Sequence, residues 1–229
     1  MTVFEVSAQG NHGYPQPENG YREVVYTDFC PRCGIHGSQI APFRLARHQR
    51  AQHSSFLQLN WVFDTFFVHP EVAEDLVKAG ITGVTFGPAL DGRTSSESSD
   101  RVQLLTSAII GCAETSRLPS VTCRPDNEES RTVITTGTKN YSSETPYCGR
   151  TKYYRPTLLA ANVGALGDAP DLFQTAEWFG AGGRAFRLTL ASERFVELAR
   201  KRGWRGLEFR EVQANGWSQY AAENLHLDN

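Results

Sequence analysis

The chain has 229 residues, 40% apolar and 21% charged, enough to bury a core without covalent staples and unlike a disordered or fibrous composition. A formal charge of −2 at pH 7 argues against holding a phosphate backbone, which needs a concentrated positive field. Met1 to Val6 has neither the basic start nor the apolar run of a secretory signal, and no stretch of about 18 apolar residues suggests a membrane span, so a cytoplasmic protein with no membrane partner is expected.

In chain order, residues 10–37 are rich in Gly, Pro and Asn around Cys30-Pro31-Arg32-Cys33-Gly34, which predicts turns and loops with a strand over Arg22 to Thr27. Pro42 to Ser54 carries Arg44, Arg47, His48, Arg50 and His53 with few apolar positions, an exposed helix or irregular connector with a solvated cationic face. Phe56 to Val68 is aromatic and β-branched and predicts one buried strand, interrupted by Asp64 and Thr65. A helix follows from Pro70, with Val72, Ala73, Leu76 and Val77 on one face and Gly80 as its left-handed end; Gly83 to Phe86 is then a strand.

Asp91 to Asp100 is polar and reads as a loop or partial linker. Arg101 to Cys112 and Arg131 to Thr136 offer strand material, with a charged turn at Pro125 to Ser130. Asp168 to Phe173 suggests a capped helical turn, and Gly180 to Gly183 a breaker before Arg184 to Leu190. Ser192 can cap a last helix with Phe195, Val196 and Ala199 inward, ended by Gly203 and followed by a strand from Gly206 to Phe209.

The last of these elements echo earlier ones. Gly80 matches Gly203, Ile81 matches Trp204, Gly83 matches Gly206, Val84 matches Leu207 and Phe86 matches Phe209, all at one separation. Thr145-Pro146-Tyr147-Cys148-Gly149 matches Cys30-Pro31-Arg32-Cys33-Gly34 at the proline and the closing Cys-Gly. The expectation is an α/β (α+β) chain of two pseudo-repeated halves, 1–95 and 96–229, packed as one compact unit. Each half runs knuckle, connector, helix, G-x-x-G, strand, with mixed or antiparallel sheets.

Five cysteines, Cys30, Cys33, Cys112, Cys123 and Cys148, make an odd number that suits reduced thiols or metal ligands better than a disulfide framework. Zinc wants four ligands in a tetrahedron, and Cys-x-x-Cys closed by glycine lets two thiolates grip one ion from a tight turn. Cys30 and Cys33 meet that need, and Cys148 is the natural third ligand. The fourth is Cys123, Cys112 or His36, with Cys123 taken first. Four protein ligands would make the ion structural, since catalysis needs an open position.

The two knuckles, Asp171-Leu172-Phe173, Ser192-Glu193-Arg194-Phe195 and Gly203-Trp204-Arg205-Gly206-Leu207-Glu208-Phe209 together resemble the bacterial double-CxxCG motif family of immunity proteins. The resemblance is strongest from Tyr147 to Val212. It implies a small cytosolic protein that protects its producer by binding a cognate toxin, with paired knuckles that hold zinc. One position departs from the pattern: Thr145 stands where the second knuckle should open with cysteine.

Signatures of catalysis are missing from the sequence: it has no G-x-S-x-G elbow, phosphate loop, H-E-x-x-H helix or dinucleotide fingerprint. The expected protein is therefore a binder, not an enzyme. Trp178, Phe179, Arg184 and Tyr153 are candidate anchors for the toxin, because aromatic and arginine side chains carry most interface energy. A zinc-ribbon-like nucleic-acid module, suggested by the first knuckle and the basic run Arg44 to Arg50, is the alternative, and an enzyme of unfamiliar type is a further one.

Overall fold

The computed structural model describes residues 2–18, 20–46, 53–131 and 144–214. They form a strand-rich mixed α/β structure with mixed and antiparallel sheets. The early elements are β1 (Val3–Ala8), β2 (Pro15–Gln16), α1 (Tyr21–Val25), β3 (Arg44–Leu45), β4 (Phe56–Leu59), β5 (Val62–Val68), α2 (Pro70–Lys78), β6 (Val84–Asp91) and β7 (Glu97–Thr106). They are followed by β8 (Ile109–Ile110), β9 (Ser120–Thr122), α3 (Glu128–Arg131), β10 (Thr151–Tyr153), β11 (Ala160–Ala161), β12 (Leu172–Thr175), β13 (Thr189–Ser192), α4 (Glu193–Arg202), β14 (Leu207–Glu211) and β15 (Gln213–Ala214).

Two larger sheets carry most of the fold, ordered β2-β3-β6-β7-β5-β4 and β14-β1-β13-β12-β8. Four neighbouring strands play matching parts in each. A hairpin, β4–β5 or β12–β13, leads into a helix, α2 or α4, and a returning strand, β6 or β14. Between the returning strand and the hairpin lies one more antiparallel strand, β7 in the first sheet and β1 in the second. The N-terminal strand thus sits among strands from the end of the chain, and β7 closes the earlier sheet.

Register and hydrogen bonds agree at this level. Phe56 pairs with Val68 as Leu172 pairs with Ala191, and Phe86 pairs with Leu104 as Phe209 pairs with Val6. Ile81 N–H donates to Leu76 O and Trp204 N–H to Ala199 O, both at 3.1 Å, so both helices end in the same glycine-capped turn. Gly83 and Gly206 have φ of 81° and 92°. A Cβ at Gly83 would overlap Leu172 O, and one at Gly206 would overlap Phe56 O, so each returning strand starts where only glycine fits.

These contacts enclose a shared core. Phe56, Val68, Val72, Leu76 and Leu104 from the first sheet and its helix pack with Leu172, Ala191, Phe195, Ala199 and Val6 from the second. A further core under the second sheet gathers Phe173, Leu188, Leu190, Phe179 and Cys112. Arg194 donates to Gly80 O and Asp171, and Asp75 pairs with Arg202 at 3.2 Å, so each helix end is tied to the other helix or its flank.

Several local expectations are corrected. The residues expected as a strand from Arg22 contain α1, because Tyr21 and Val25, one helical turn apart, are the positions that bury. Phe56 to Val68 is a hairpin turned at Asn60 and Trp61, the latter at φ 69°. Asp91 to Asp100 joins the ends of two strands through a tight turn, in which the Asp91 carboxylate accepts from the N–H groups of Arg93 and Thr94. Leu172 and Phe173 lie in β12, not a helical turn, and Val77 points to solvent, 65% exposed. The basic run is a short strand at Arg44–Leu45; its Arg47, His48 and Arg50, and the strand material at 132–136, lie outside the described residues. No helix among the described residues is long and apolar enough to cross a membrane.

Candidate metal centre

Four of the five cysteines meet. The sulfurs of Cys30, Cys33, Cys123 and Cys148 all lie within 4.8 Å of one another. Two contacts cross between the two knuckles, Cys33 to Cys148 at 3.5 Å and Cys30 to Cys123 at 3.9 Å. All are free thiols. A tetrahedron with metal–sulfur bonds of about 2.3 Å has sulfur–sulfur edges of about 3.8 Å, so the quartet is spaced for one ion.

Local backbone chemistry makes the two corners alike. Gly34 N–H donates to Cys30 O at 2.8 Å, and Gly149 N–H donates to Cys123 O at 3.1 Å. Cys30 N–H donates to Ile35 O, and Cys123 N–H to Arg150 O. Both glycines have positive φ, 80° and 71°. The backbone N–H of Cys33 points to the Cys30 sulfur, and that of Cys148 to the Cys123 sulfur. Cys123 therefore holds in the second knuckle the place Cys30 holds in the first. The cysteine beside Cys148 in this corner is Cys123, and Thr145 is not part of the cluster.

The β9–β10 pair sets this second corner, with Thr122 opposite Thr151 and their hydroxyls 2.9 Å apart. The sequence signal for it was the alternating Ser-Val-Thr before Cys123 and Thr-Lys-Tyr after Gly149, which fits a hairpin opened at its tip. The length between the two cysteines concealed it.

Cys30, Cys33 and Cys123 are buried and Cys148 is partly exposed. Ile35 and Trp178 wall the cluster, with Tyr147 and Ala185 packed against it. The hydrogen bond from the Cys33 thiol, opposed by burial and aided by the N–H groups of Cys33 and Arg32, draws the Cys30 thiol down to about 4. The same bond, together with burial, pushes Cys33 up, and burial raises Cys123 to about 11. A bound cation would draw all four thiols into thiolates.

Cationic side chains clasp the knuckles across the joint. Lys152 Nζ, on β10, donates to Cys33 O at 3.1 Å and to Gly182 O and Arg184 O. Arg150 donates to Asp28 O and Ile35 O. In return Arg32 Nε, from the first knuckle, donates to Thr145 O at 2.6 Å, and its guanidinium lies 4.2 Å from the Tyr147 ring centre. Sequence reasoning missed the roles of Lys152 and Arg150, because nothing in their spacing marks them as neighbours of Cys33.

The other candidate ligands go elsewhere. Cys112 is buried in the second core, its thiol pushed up to about 12 by burial and then by Glu177. His36 stacks on Tyr26 with ring centres 3.6 Å apart and faces Asp64 at 3.6 Å. Of the expected partner anchors, Trp178 and Phe179 are 9% and 0% exposed, one a wall of the cysteine site and the other a core residue, so neither presents a surface to a partner. Arg184 is exposed and Tyr153 half-buried.

A four-thiol centre in a strand-rich α/β frame defines a candidate metal-stapled protein, with the identity of the ion open. No family model matches the chain, and no curated protein matches it in sequence.

Proposed function

We propose that this is a zinc-stapled binding protein, an immunity protein that neutralises a cognate bacterial toxin, rather than an enzyme. The observation that carries the metal part is the gathering of Cys30, Cys33, Cys123 and Cys148 within 4.8 Å. Four thiolates fill a tetrahedron and leave no position for substrate, so such an ion shapes the fold instead of reacting. The resemblance of the knuckles and of the Ser192 to Phe209 region to the double-CxxCG family supports the immunity role.

The same reading holds that one unit was used twice. The matched strand order, the two glycine-capped helices and the paired knuckle hydrogen bonds support it. On this view the units exchanged their first strands, β1 and β7, and their knuckles meet at one ion.

Co-expression with the products of neighbouring toxin genes tests the role. A stable one-to-one complex and rescued growth are expected with one of them. Failure of both with every neighbour contradicts the immunity reading.

A further inference from the structure

The surroundings of the cysteine quartet are as informative as the sulfurs. Four thiolates around a divalent ion carry a net charge of −2, around a monovalent ion −3 and around a trivalent ion −1. Burying such a centre is costly unless opposite charge is buried with it. Arg32 is 2% exposed and Lys152 1% exposed, an unusual placement for the two side chain types that most often stay in water. Both are attached to the knuckles themselves, Lys152 through the carbonyl of the ligand residue Cys33, and Arg32 as part of the first knuckle while gripping the strand that leads to Cys148.

Resting on the metal reading above, we infer that Arg32 and Lys152 are the residues of the site that offset the negative charge of its thiolates. They also position the knuckles, since each reaches across the joint to carbonyls of the other segment.

The test uses the full chain. Zinc affinity is read by competition with a chromogenic chelator, and the stripped protein reloaded with ferrous iron gives a reduction potential. Lys152→Met and Arg32→Met are each expected to weaken zinc by about tenfold or more. They should also move the iron potential in the negative direction, because losing a nearby positive charge favours the ferric centre, which carries one negative charge fewer. Lys152→Arg, which keeps the charge, should stay near the parent potential. A purely structural role would not move the potential with this sign. Should Lys152→Met fail to fold, Lys152→Gln and Arg32→Gln serve the same measurement. If the parent binds zinc through four thiolates but folded charge-removing variants keep its affinity and potential, the inference fails and the metal site stands. If the parent holds no stoichiometric metal, both fall.

Discussion

Cys33 and Cys148, 115 positions apart in the chain, hold their sulfurs 3.5 Å from each other across the joint between two knuckles. An ion at that point would close a long loop, and binding only to the folded form would add to stability by mass action.

Removing the ion should therefore soften the fold. Metal held at about a thousandfold above its dissociation constant contributes about 4 kcal/mol, which corresponds to roughly 10 °C in melting temperature for a chain of this size. Thermal unfolding with and without a strong chelator checks this. Cys30→Ser, Cys33→Ser, Cys123→Ser and Cys148→Ser should each lose the chelator-sensitive part, whereas Cys112→Ser should retain it.

The two close approaches at glycine give a second expectation. At Gly83 and Gly206 a methyl group would overlap a carbonyl oxygen, while at Gly203 nothing lies within 4 Å of a built Cβ. Gly203→Ala should then cost only the left-handed backbone penalty, about 1–2 kcal/mol. Gly83→Ala and Gly206→Ala should each cost clearly more in denaturant unfolding. Equal losses at all three positions would contradict the tight strand starts.

Asp171 ties the helices together and should make stability fall in acid. Its carboxylate accepts from Thr82 N–H at 2.9 Å, from the hydroxyls of Thr82 and Ser192, and from Arg194. Burial alone would raise its pKa, but the Thr82 N–H, the two hydroxyls and Arg194 outweigh that and hold it below the usual value. A group depressed on folding stabilises above its unfolded pKa, about 3.9 for Asp, and that contribution is lost as pH falls through the folded value. Asp171→Asn should lower unfolding free energy at pH 7 by about 2–3 kcal/mol. It should also flatten the decline below about pH 4, as measured by urea unfolding across that range.

Thiol reactivity should rank the cysteines. Cys148 is the partly exposed member of the quartet, while Cys112 is buried with its thiol pushed up to about 12. Because alkylation needs access as well as thiolate character, the native metal-free protein near neutral pH should be labelled at the partly exposed Cys148 before the buried Cys30, whose thiol is drawn down, and at Cys112 last. Mass spectrometry of peptides after timed quenching reads the order.

How much of this was legible in the sequence depends on how local each signal was. Helix α4 could be read because its stop and start signals are its own residues: the Ser192 hydroxyl accepts from Phe195 N–H, and Gly203 ends it at φ 65°. The hairpin at Asn60 and Trp61 was hidden because tryptophan, not glycine, takes the left-handed position after Asn60, so the Asn-Gly pair that marks such a turn was lacking. The strands β1 and β7 carry no mark of which sheet they join, since pairing between distant segments is decided by the assembled core. At the site, the chemistry of Cys30 and Cys33 was plain from spacing, and Cys123 was favoured among open alternatives. That Cys123 repeats the Cys30 corner could be seen only from the shared hydrogen bonds to Gly149 and Arg150. The burial of Trp178 and Phe179 could not be read beside a glycine-rich loop, where an aromatic residue serves a wall, a core or a surface equally well.

Zinc-edge X-ray absorption on the purified full chain tests the central claim most directly. One zinc per chain with four sulfur neighbours at about 2.3 Å and no nitrogen or oxygen in the first sphere is the predicted spectrum. Absence of any stoichiometric metal, or a first sphere containing nitrogen or oxygen ligands, would contradict a centre built from Cys30, Cys33, Cys123 and Cys148.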